Sequence, residues 1–310
     1  MSKFRYFIFF LLVLCGISLL LGGIKTSAAK FPKGIVDDFG KKVIVAKKPE
    51  RIVSLSPANT EILFAIGAGD KLVGVTEYCN FPPQAKKIEK IGGYSTPNIE
   101  AIVAKKPDLI VASYGNGEEN IKKLREIGLT VIALNPKSLQ GVLQDIILVG
   151  KATGYEEEAE RLVKNLQERI NTVRNKGYKI PESKKPRILW VMWYPELWTA
   201  GNETFFDELV NIAGGKNIAH DFKGWKIISK EVVLERDPQI IFCSQHKENR
   251  EQISQKILND PQLSQIEAIK NKRVYELNPD IIERPGPRLI EGLEKINYYL
   301  QKWLEREGRG

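Results

Sequence analysis

The side chains of this sequence with the clearest chemical use are aromatic, and they are better suited to holding a molecule than to converting it. Tyr78, Tyr94, Trp198 and Trp225 occupy turn-like stretches with glycine nearby, whereas Trp190 lies within an apolar run typical of a core strand. Tyrosine and tryptophan rings hold large flat or apolar molecules by shape and stacking, with few charges. These four rings outside the core are therefore predicted to contact a ligand.

Groups suited to catalysis are sparse. The chain has 2 histidines, His220 and His246, and no GxSxG, HExxH, Walker-type or GxGxxG sequence. His246 follows an apolar run, where it could ligate iron or lie on the surface as an ordinary side chain. Cys79 and Cys243 lack the spacing of a metal site, so two buried thiols are expected, with a disulfide between them as the alternative. We expect no catalytic residue and no metal site.

The local sequence indicates how a ligand site is positioned. In RIVSLSPANTE, a short buried strand is followed by Ser56, which can cap a helix, and by Pro57, which suits the first helical position. This order directs a helix N-terminus to the space beyond the carboxyl end of a strand, where ligands bind in parallel sheets. Asp280, which begins DIIERPGPR, is expected at a corresponding strand end in the second half of the chain.

The second half of the chain repeats the first. EAIVAKKPDLIVAS begins at Glu100 and EVVLERDPQIIFCS begins at Glu231, and each has Pro in the eighth place and Ser in the last. Each half also contains a later LNP sequence, and an earlier strand that opens with Arg-Ile. Alternating strands and helices of this kind predict an α/β fold with two similar lobes and mainly parallel sheets.

A helical stretch separates the two halves. Residues 155–175 place apolar side chains at helical spacing, and Gly154 breaks the pattern just before them. A helix of that length would reach about 31 Å and connect two lobes stiffly. The predicted organisation is an N-terminal lobe over residues 30–140, a connecting helix region over 141–176 and a C-terminal lobe over 177–310, with a ligand cleft between the lobes.

Residues 1–29 are predicted to direct export. Lys3 and Arg5 precede a long apolar run, and the small residues at 26–29 offer a cleavage site. An uncleaved N-terminal membrane anchor and lipidation at Cys15 are the alternatives. We therefore expect an exported protein, in the periplasm or on the outer face of the cytoplasmic membrane.

The charge pattern argues against a nucleic-acid partner. The formal net charge is +9, but lysines alternate with glutamates along segments such as KKLRE and EEEAERLVKNLQER. This alternation is typical of a solvated surface with paired charges, and the sequence contains no basic stripe interleaved with aromatic residues.

Glu100 and Glu231 open equivalent segments of the two halves. An acid in the first turn of a helix is stabilised by the helix dipole. A matched acid on each lobe would also suit docking onto a symmetric dimer, where an arginine of each subunit could pair with it. We expect both roles.

Several segments resemble the iron/cobalamin type of substrate-binding protein of ABC importers. They are RIVSLSPANTE, YCNFPPQAKKI, NIEAIVAKKPDLIV, the long helix and ERPGPR, and the resemblance covers about residues 45–305. VGVTEYCNFPPQA and ERPGPR are most similar to the cobalamin-binding members. The chain departs from the family pattern where a cleft aromatic appears as Ile281 and where another is displaced to Tyr114.

The resemblance implies two rigid lobes with the ligand held between them. The positions it assigns to ligand contact are Pro57, Tyr78, Tyr94, Trp198, Trp225 and Asp280. It assigns docking on the membrane permease to Glu100 and Glu231.

The function implied is that of a non-enzymatic capture protein. It would bind cobalamin or a related corrinoid and deliver it to an ABC permease dimer with its ATPase. The alternative cargo is haem or a ferric siderophore, for which Tyr78, Tyr94 or His246 are candidate axial ligands. An exported α/β enzyme that uses an acid such as Asp280 or Glu283 is the alternative of another class. We expect a monomer with one small-molecule ligand, no bound cofactor and no nucleic acid.

Overall fold

Two parallel β-sheets of four strands each form the framework of the part of the protein that this computed structural model describes, residues 30–245 and 252–307. The export signal or anchor predicted for residues 1–29, and His246, lie outside these residues. From Phe31 onward the chain forms one compact unit.

The strands are β1 (Lys33–Val36), β2 (Lys42–Val45), β3 (Ile52–Ser54), β4 (Leu72–Val75), β5 (Leu109–Ser113), β6 (Val131–Leu134), β7 (Arg187–Val191), β8 (Leu197–Ala200), β9 (Lys216–Asn217), β10 (Trp225–Ile228), β11 (Ile240–Ser244) and β12 (Val274–Leu277). The α-helices are α1 (Pro57–Ala65), α2 (Ile99–Ala104), α3 (Glu118–Glu126), α4 (Leu139–Thr153), α5 (Glu156–Tyr178), α6 (Phe205–Ala213), α7 (Lys230–Arg236), α8 (Ile253–Leu258), α9 (Glu267–Lys270) and α10 (Leu289–Glu307).

The two large sheets have the same topology. Their strands run in the orders β4-β3-β5-β6 and β9-β7-β11-β12, so the strand of each sheet that comes first along the chain lies between the second and the third. The third strands, β5 and β11, are buried at all five positions, because helices cover both faces of a parallel sheet. The predicted α/β fold with two similar lobes is confirmed. Two small antiparallel sheets, β1-β2 and β8-β10, flank this framework.

The amino ends of the two sheets share one kind of contact. Arg51 Nε donates a hydrogen bond to the carbonyl of Lys105, over 2.9 Å. Arg187 Nε donates to the carbonyl of Arg236, over 3.1 Å. Arg51 directly precedes β3 and Arg187 begins β7. Each arginine thus provides a hydrogen-bond partner for a carbonyl at the carboxyl end of a helix, α2 in the first lobe and α7 in the second.

The turns between these helices and the third strands are also alike. Lys106 has φ +47° and Asp237 has φ +42°, and each directly precedes a proline. The left-handed conformation ends the helix, and the proline that follows disfavours its continuation. The proline in the eighth place of each repeated segment thus follows shortly after the end of a short helix in each lobe.

The connecting region consists of two helices. Gly154, at φ +74°, separates α4 from α5, as the sequence predicted. Helix α5 has 23 residues and ends at Tyr178, beyond the predicted connecting region of residues 141–176. Gly177 permits this, because a Cβ there would lie 2.4 Å from the carbonyl oxygen of Ile212 in α6. The helix therefore continues where it can pack closely on a neighbour.

Helix α5 packs against α4, α6 and α10. Arg169 of α5 holds Glu294 of α10 with two hydrogen bonds of 2.8 and 2.7 Å. One buried apolar cluster includes Leu109 of the first sheet, Leu166 of α5 and Phe242 of the second sheet. Because interiors are close-packed, a core shared in this way favours lobes that keep a fixed relation.

Cys79 and Cys243 are free and buried, which confirms the prediction of two buried thiols. Within residues 30–245 and 252–307, none of the helices combines the length and the apolar character needed to cross a membrane.

Candidate functional site

Two cavities that share part of their lining lie between the two lobes. Their volumes are about 520 and 370 Å³. Both are lined by Tyr94 and Ser113 from the first lobe and by Glu283 and Pro285 from the second. The shared residues make the two cavities neighbouring parts of one inter-lobe cleft.

The first cavity brings together four of the six residues predicted to bind the ligand. They are Pro57, Tyr78, Tyr94 and Asp280. Pro57 and Tyr78 come from the first lobe and Asp280 from the second, so both lobes contribute. Tyr78 is 59% exposed, which leaves its ring available for contact with a molecule in the cleft.

Helix α1 begins at the edge of this cavity. The hydroxyl of Ser56 accepts a hydrogen bond from the backbone N–H of Asn59, over 3.1 Å, and Pro57 is the first helical residue, as predicted. The Asn59 side chain donates to the carbonyls of Val111 and Ala112 in β5. These bonds fix the helix start relative to the central strand, so the cavity wall is set by the sheet.

Trp225 lines the second cavity, together with Tyr94, Phe205 and Lys137. Trp198 lines neither cavity. In the β8–β10 hairpin, Trp198 faces Ile227 and Trp225 faces Ala200, so the two tryptophans lie on one face of the ribbon, two positions apart. Trp198 therefore extends the wall that Trp225 begins.

The placement of these two tryptophans in turns was wrong, because both belong to strands. Gly201 and Gly224 suggested turns, but Gly201 donates a backbone hydrogen bond to Gly224 across the ribbon. A Cβ at Gly201 would lie 2.1 Å from the carbonyl oxygen of Phe222. This glycine is needed for a close approach of backbones, which sequence alone does not distinguish from a turn.

Tyr94 is held in a defined position at the junction of the two cavities. Its hydroxyl is 3.1 Å from the hydroxyl of Ser113, and its carbonyl accepts a hydrogen bond from the Asn116 side chain over 2.7 Å. A Cβ at Gly115 would lie 2.2 Å from atoms of the Tyr94 ring. Glycine at that position thus allows the ring to lie against the loop that follows β5.

Glu283 enters the same junction from the second lobe. Ser244, the last residue of β11, donates a hydrogen bond to its carboxyl group over 3.4 Å. Burial raises the pKa of Glu283 to about 7; the Ser244 hydrogen bond opposes this increase, Asp280 adds to it and Arg284 opposes it. The cleft therefore contains a carboxyl group that titrates near neutral pH.

A cluster of charged residues joins the lobes beside the cleft, and sequence reasoning missed it. Arg284 and Arg288 of the second lobe lie 3.3 and 3.5 Å from the buried carboxylate of Glu61 in α1. Arg284 also pairs with Asp280 over 2.7 Å and donates to the Asn80 side chain over 2.8 Å. The repeated arginines of ERPGPR were the only signal that could have suggested it.

The pKa of Glu61 reflects this setting. Burial raises it to about 7, while the charges of Arg288 and Arg284 lower it. Glu61 belongs to the first lobe, and Arg284 and Arg288 belong to the second. Their contacts therefore help to fix the arrangement of the two lobes.

Glu100 and Glu231 are exposed at matching positions outside the cleft. Each lies in the first turn of its helix, α2 or α7. The two helices are capped in the same way. The Asn98 side chain accepts a hydrogen bond from the backbone N–H of Ala101 over 2.9 Å, and the Ser229 hydroxyl accepts one from the backbone N–H of Val232 over 3.3 Å. Their docking role stays a prediction, but their first-turn location agrees with the helix-dipole explanation.

Metal-binding groups are not clustered in the described part of the chain. Across residues 30–245 and 252–307, the structure brings no three side chains of His, Cys, Asp or Glu together in a way that could hold a metal ion.

Comparison with known proteins identifies the family. The model of a family described as periplasmic binding protein matches residues 52–281. The chain belongs to the periplasmic binding protein family. It is 34% identical over 277 residues to an ABC transporter substrate-binding lipoprotein of Bacillus subtilis, covering 88% of this chain and 86% of the relative.

Solved structures of this family differ in what their names say they bind. The vitamin B12 binding protein of Vibrio cholerae is 31% identical, with a TM-score of 0.70, and the match covers 82% of this chain and 97% of that one. The haem-binding protein of Roseiflexus sp. RS-1 is 28% identical, with a TM-score of 0.72 and coverage of 81% and 97%. This protein is thus a periplasmic binding protein of the ABC transporter type, similar to solute-binding proteins rather than to enzymes.

Proposed function

We propose that the protein captures cobalamin or a related corrinoid in the inter-lobe cleft and delivers it to an ABC permease dimer with its ATPase. The observation that carries this proposal is the lining of the cleft. Aromatic rings from both lobes, Tyr78, Tyr94 and Trp225, surround cavities that also contain hydrogen-bonding side chains. This combination suits a large ring with a polar periphery.

The charges of the cleft favour a cargo without many carboxylates. Asp280 and Glu283 are acidic, and Arg284, the base that lines the first cavity, is already engaged by Asp280 and Glu61. Lys137 lies 4.8 Å over the ring of Tyr114 at the second cavity. An anionic siderophore would meet acids where it needs bases, whereas the amide groups of a corrinoid would meet hydrogen-bond acceptors.

Haem is the second candidate cargo, because one solved relative is a haem-binding protein and Tyr78 offers an exposed phenol at the first cavity. A tyrosine oxygen can serve as an axial ligand of haem iron. Asp280 and Glu283, however, line the cavity that would have to accommodate haem and its two propionates.

The proposal includes export and docking. The similarity to a substrate-binding lipoprotein supports a location outside the cytoplasmic membrane, either in the periplasm or attached to its outer face. Glu100 and Glu231 would contact the permease, one from each lobe. The protein would act as a monomer without a cofactor of its own and without catalysis.

Calorimetry with the purified protein tests the cargo. Cyanocobalamin, dicyanocobinamide, haemin and a ferric siderophore would be titrated under the same conditions. The bound ligand would then be recovered and its molecular mass measured by mass spectrometry. We expect tight binding of at least one corrinoid and its recovery unchanged. Tight haemin binding with no heat from either corrinoid would refute the corrinoid assignment, and a chemically altered ligand would favour an enzyme.

A further inference from the structure

Two serines at matching positions of the repeat each hold one polar side chain in the middle of the cleft. Ser113 ends β5 and Ser244 ends β11. The hydroxyl of Ser113 lies 3.1 Å from the hydroxyl of Tyr94, and Ser244 donates to the Glu283 carboxyl over 3.4 Å. Tyr94 and Glu283 each line the two cavities, so a molecule that fills the cleft would contact both side chains.

Contacts with neighbouring side chains restrain both groups. The loop of Tyr94 is held through its carbonyl by Asn116, which also donates to the carbonyl of Leu55 over 2.7 Å. Glu283 is followed by Arg284, whose guanidinium is anchored on Glu61 of the opposite lobe. Positions set in advance in this way reduce the entropy that binding must overcome.

A phenol and a carboxylate together complement a primary carboxamide. When Ser113 donates to the phenol oxygen, the Tyr94 O–H is available to donate to an amide carbonyl. The Glu283 carboxylate can accept a hydrogen bond from the amide NH2 group. A ligand carboxylate at the same place would offer no proton to Glu283 and would set two anions side by side.

We propose that Tyr94 and Glu283 form a carboxamide-binding subsite that selects cargo with primary amide side chains over cargo with carboxylates at the same position. The inference rests on the proposed corrinoid function and deepens it, because it assigns the choice between amide and acid forms of the ring periphery to two named residues.

The electrostatics around Glu283 predict how this selection varies with pH. Burial, opposed by the Ser244 hydrogen bond, raises its pKa to about 7, and the neighbouring charges are Asp280 and Arg284. Lys137 and Glu203 line the second cavity, and Glu203 pairs with Lys223 over 3.2 Å. Below pH 7 a protonated Glu283 can donate to a carboxylate. Above pH 7 it is an anion, so the preference for the amide should increase.

A matched pair of ligands tests the subsite. Dicyanocobinamide carries primary amides around its ring, and hydrolysis of one amide yields a monocarboxylic acid of the same shape, of which each positional isomer would be used. Their dissociation constants would be measured by calorimetry at pH 6 and pH 8, for the wild type and for Glu283→Gln. At pH 8 we expect the wild type to prefer the amide over at least one isomer by about tenfold or more, and Glu283→Gln to lose most of that preference.

The control substitution is Glu276→Gln, which alters another serine–glutamate pair of the same lobe. Ser254 donates to Glu276 over 2.9 Å, and Glu276 lines neither cavity. This variant should keep the wild-type preference at both pH values. If the protein binds dicyanocobinamide but prefers the amide equally in the wild type and in Glu283→Gln, the subsite is wrong while the cargo assignment stands. If the wild type binds neither cyanocobalamin nor any amide or acid form of cobinamide, the corrinoid function fails and the subsite fails with it.

Discussion

The amino ends of the two sheets carry equivalent contacts, whereas their carboxyl ends carry different side chains. At the amino ends, Arg51 and Arg187 bind the carbonyl that ends the equivalent helix. At the carboxyl ends, the matching serines Ser113 and Ser244 hold different partners, a tyrosine on one lobe and a glutamate on the other. The repeat thus preserves the contacts remote from the cleft and varies those that line it.

Physical constraints explain the difference. Backbone groups at the ends of buried strands and helices require hydrogen-bond partners in both lobes, so an arginine at the same position can satisfy them in each lobe. A ligand without two-fold symmetry presents different groups to the two lobes, so matching walls would not complement it. Divergence at the carboxyl ends is therefore expected for a cleft that binds a single asymmetric molecule.

The exposed helix starts are the one place outside the framework where the lobes should remain functionally equivalent. Replacing both Glu100 and Glu231 by alanine should abolish transport and leave ligand affinity nearly unchanged, because both acids lie outside the cavities. Uptake by cells and calorimetry on the purified variant would measure the two properties. Glu235→Ala, an exposed glutamate elsewhere on α7, is the control for transport. A collapse of ligand affinity in the double variant would show that these acids serve the pocket or the fold.

The charged cluster between the lobes should matter most for stability. Glu61→Ala leaves Arg284 with Asp280, and Arg288 with Glu291, as the remaining carboxylate partner. Because each arginine loses a buried partner, we expect the free energy of unfolding to fall by about 2–3 kcal/mol. Denaturant titration would measure this. Glu50→Ala, which removes one of the exposed partners of Lys71, should leave the free energy of unfolding unchanged. Equal effects of the two substitutions would contradict the role given to Glu61.

The hairpin of the second lobe provides a test of the cleft wall. Trp225→Ala should weaken cargo binding by about 2 kcal/mol, since this ring lines a cavity, and Trp198→Ala should weaken it less. Trp225→Phe, which keeps an aromatic ring, should retain most of the affinity. Calorimetry with dicyanocobinamide would measure all three variants. A larger loss from Trp198→Ala than from Trp225→Ala would mean that the ligand lies further out along the ribbon.

The smallest effects are expected at the amino ends, where the lobes are alike. Arg51→Ala and Arg187→Ala should each lower the free energy of unfolding by about 1 kcal/mol, because each removes hydrogen bonds to helix-end carbonyls. Neither should change ligand affinity. Denaturant titration would measure both variants. If only one of the two substitutions lowered the free energy of unfolding, the arginine contacts of the two lobes would not be equivalent.

Local patterns in the sequence determined the framework of this protein. The repeated segments before Ser113 and Ser244 predicted equivalent strands, and Ser56 with Pro57 predicted the start of α1. Gly154 predicted the break before the long helix. Strand burial, helix caps and helix breaks depend on residues a few positions apart, so they can be read from the chain itself.

Only the tertiary structure decided which of these features meet. Arg284 reaches Glu61 across 223 positions of the chain, and no local pattern relates the two. Tyr94 with Ser113, and Ser244 with Glu283, become neighbours only when their loops fold back onto the strand ends. The tryptophans of the β8–β10 ribbon were placed in turns because their strand partners are distant in sequence. The sequence specifies the type of each side chain, but which side chains come into contact depends on how the loops fold and how the two lobes pack.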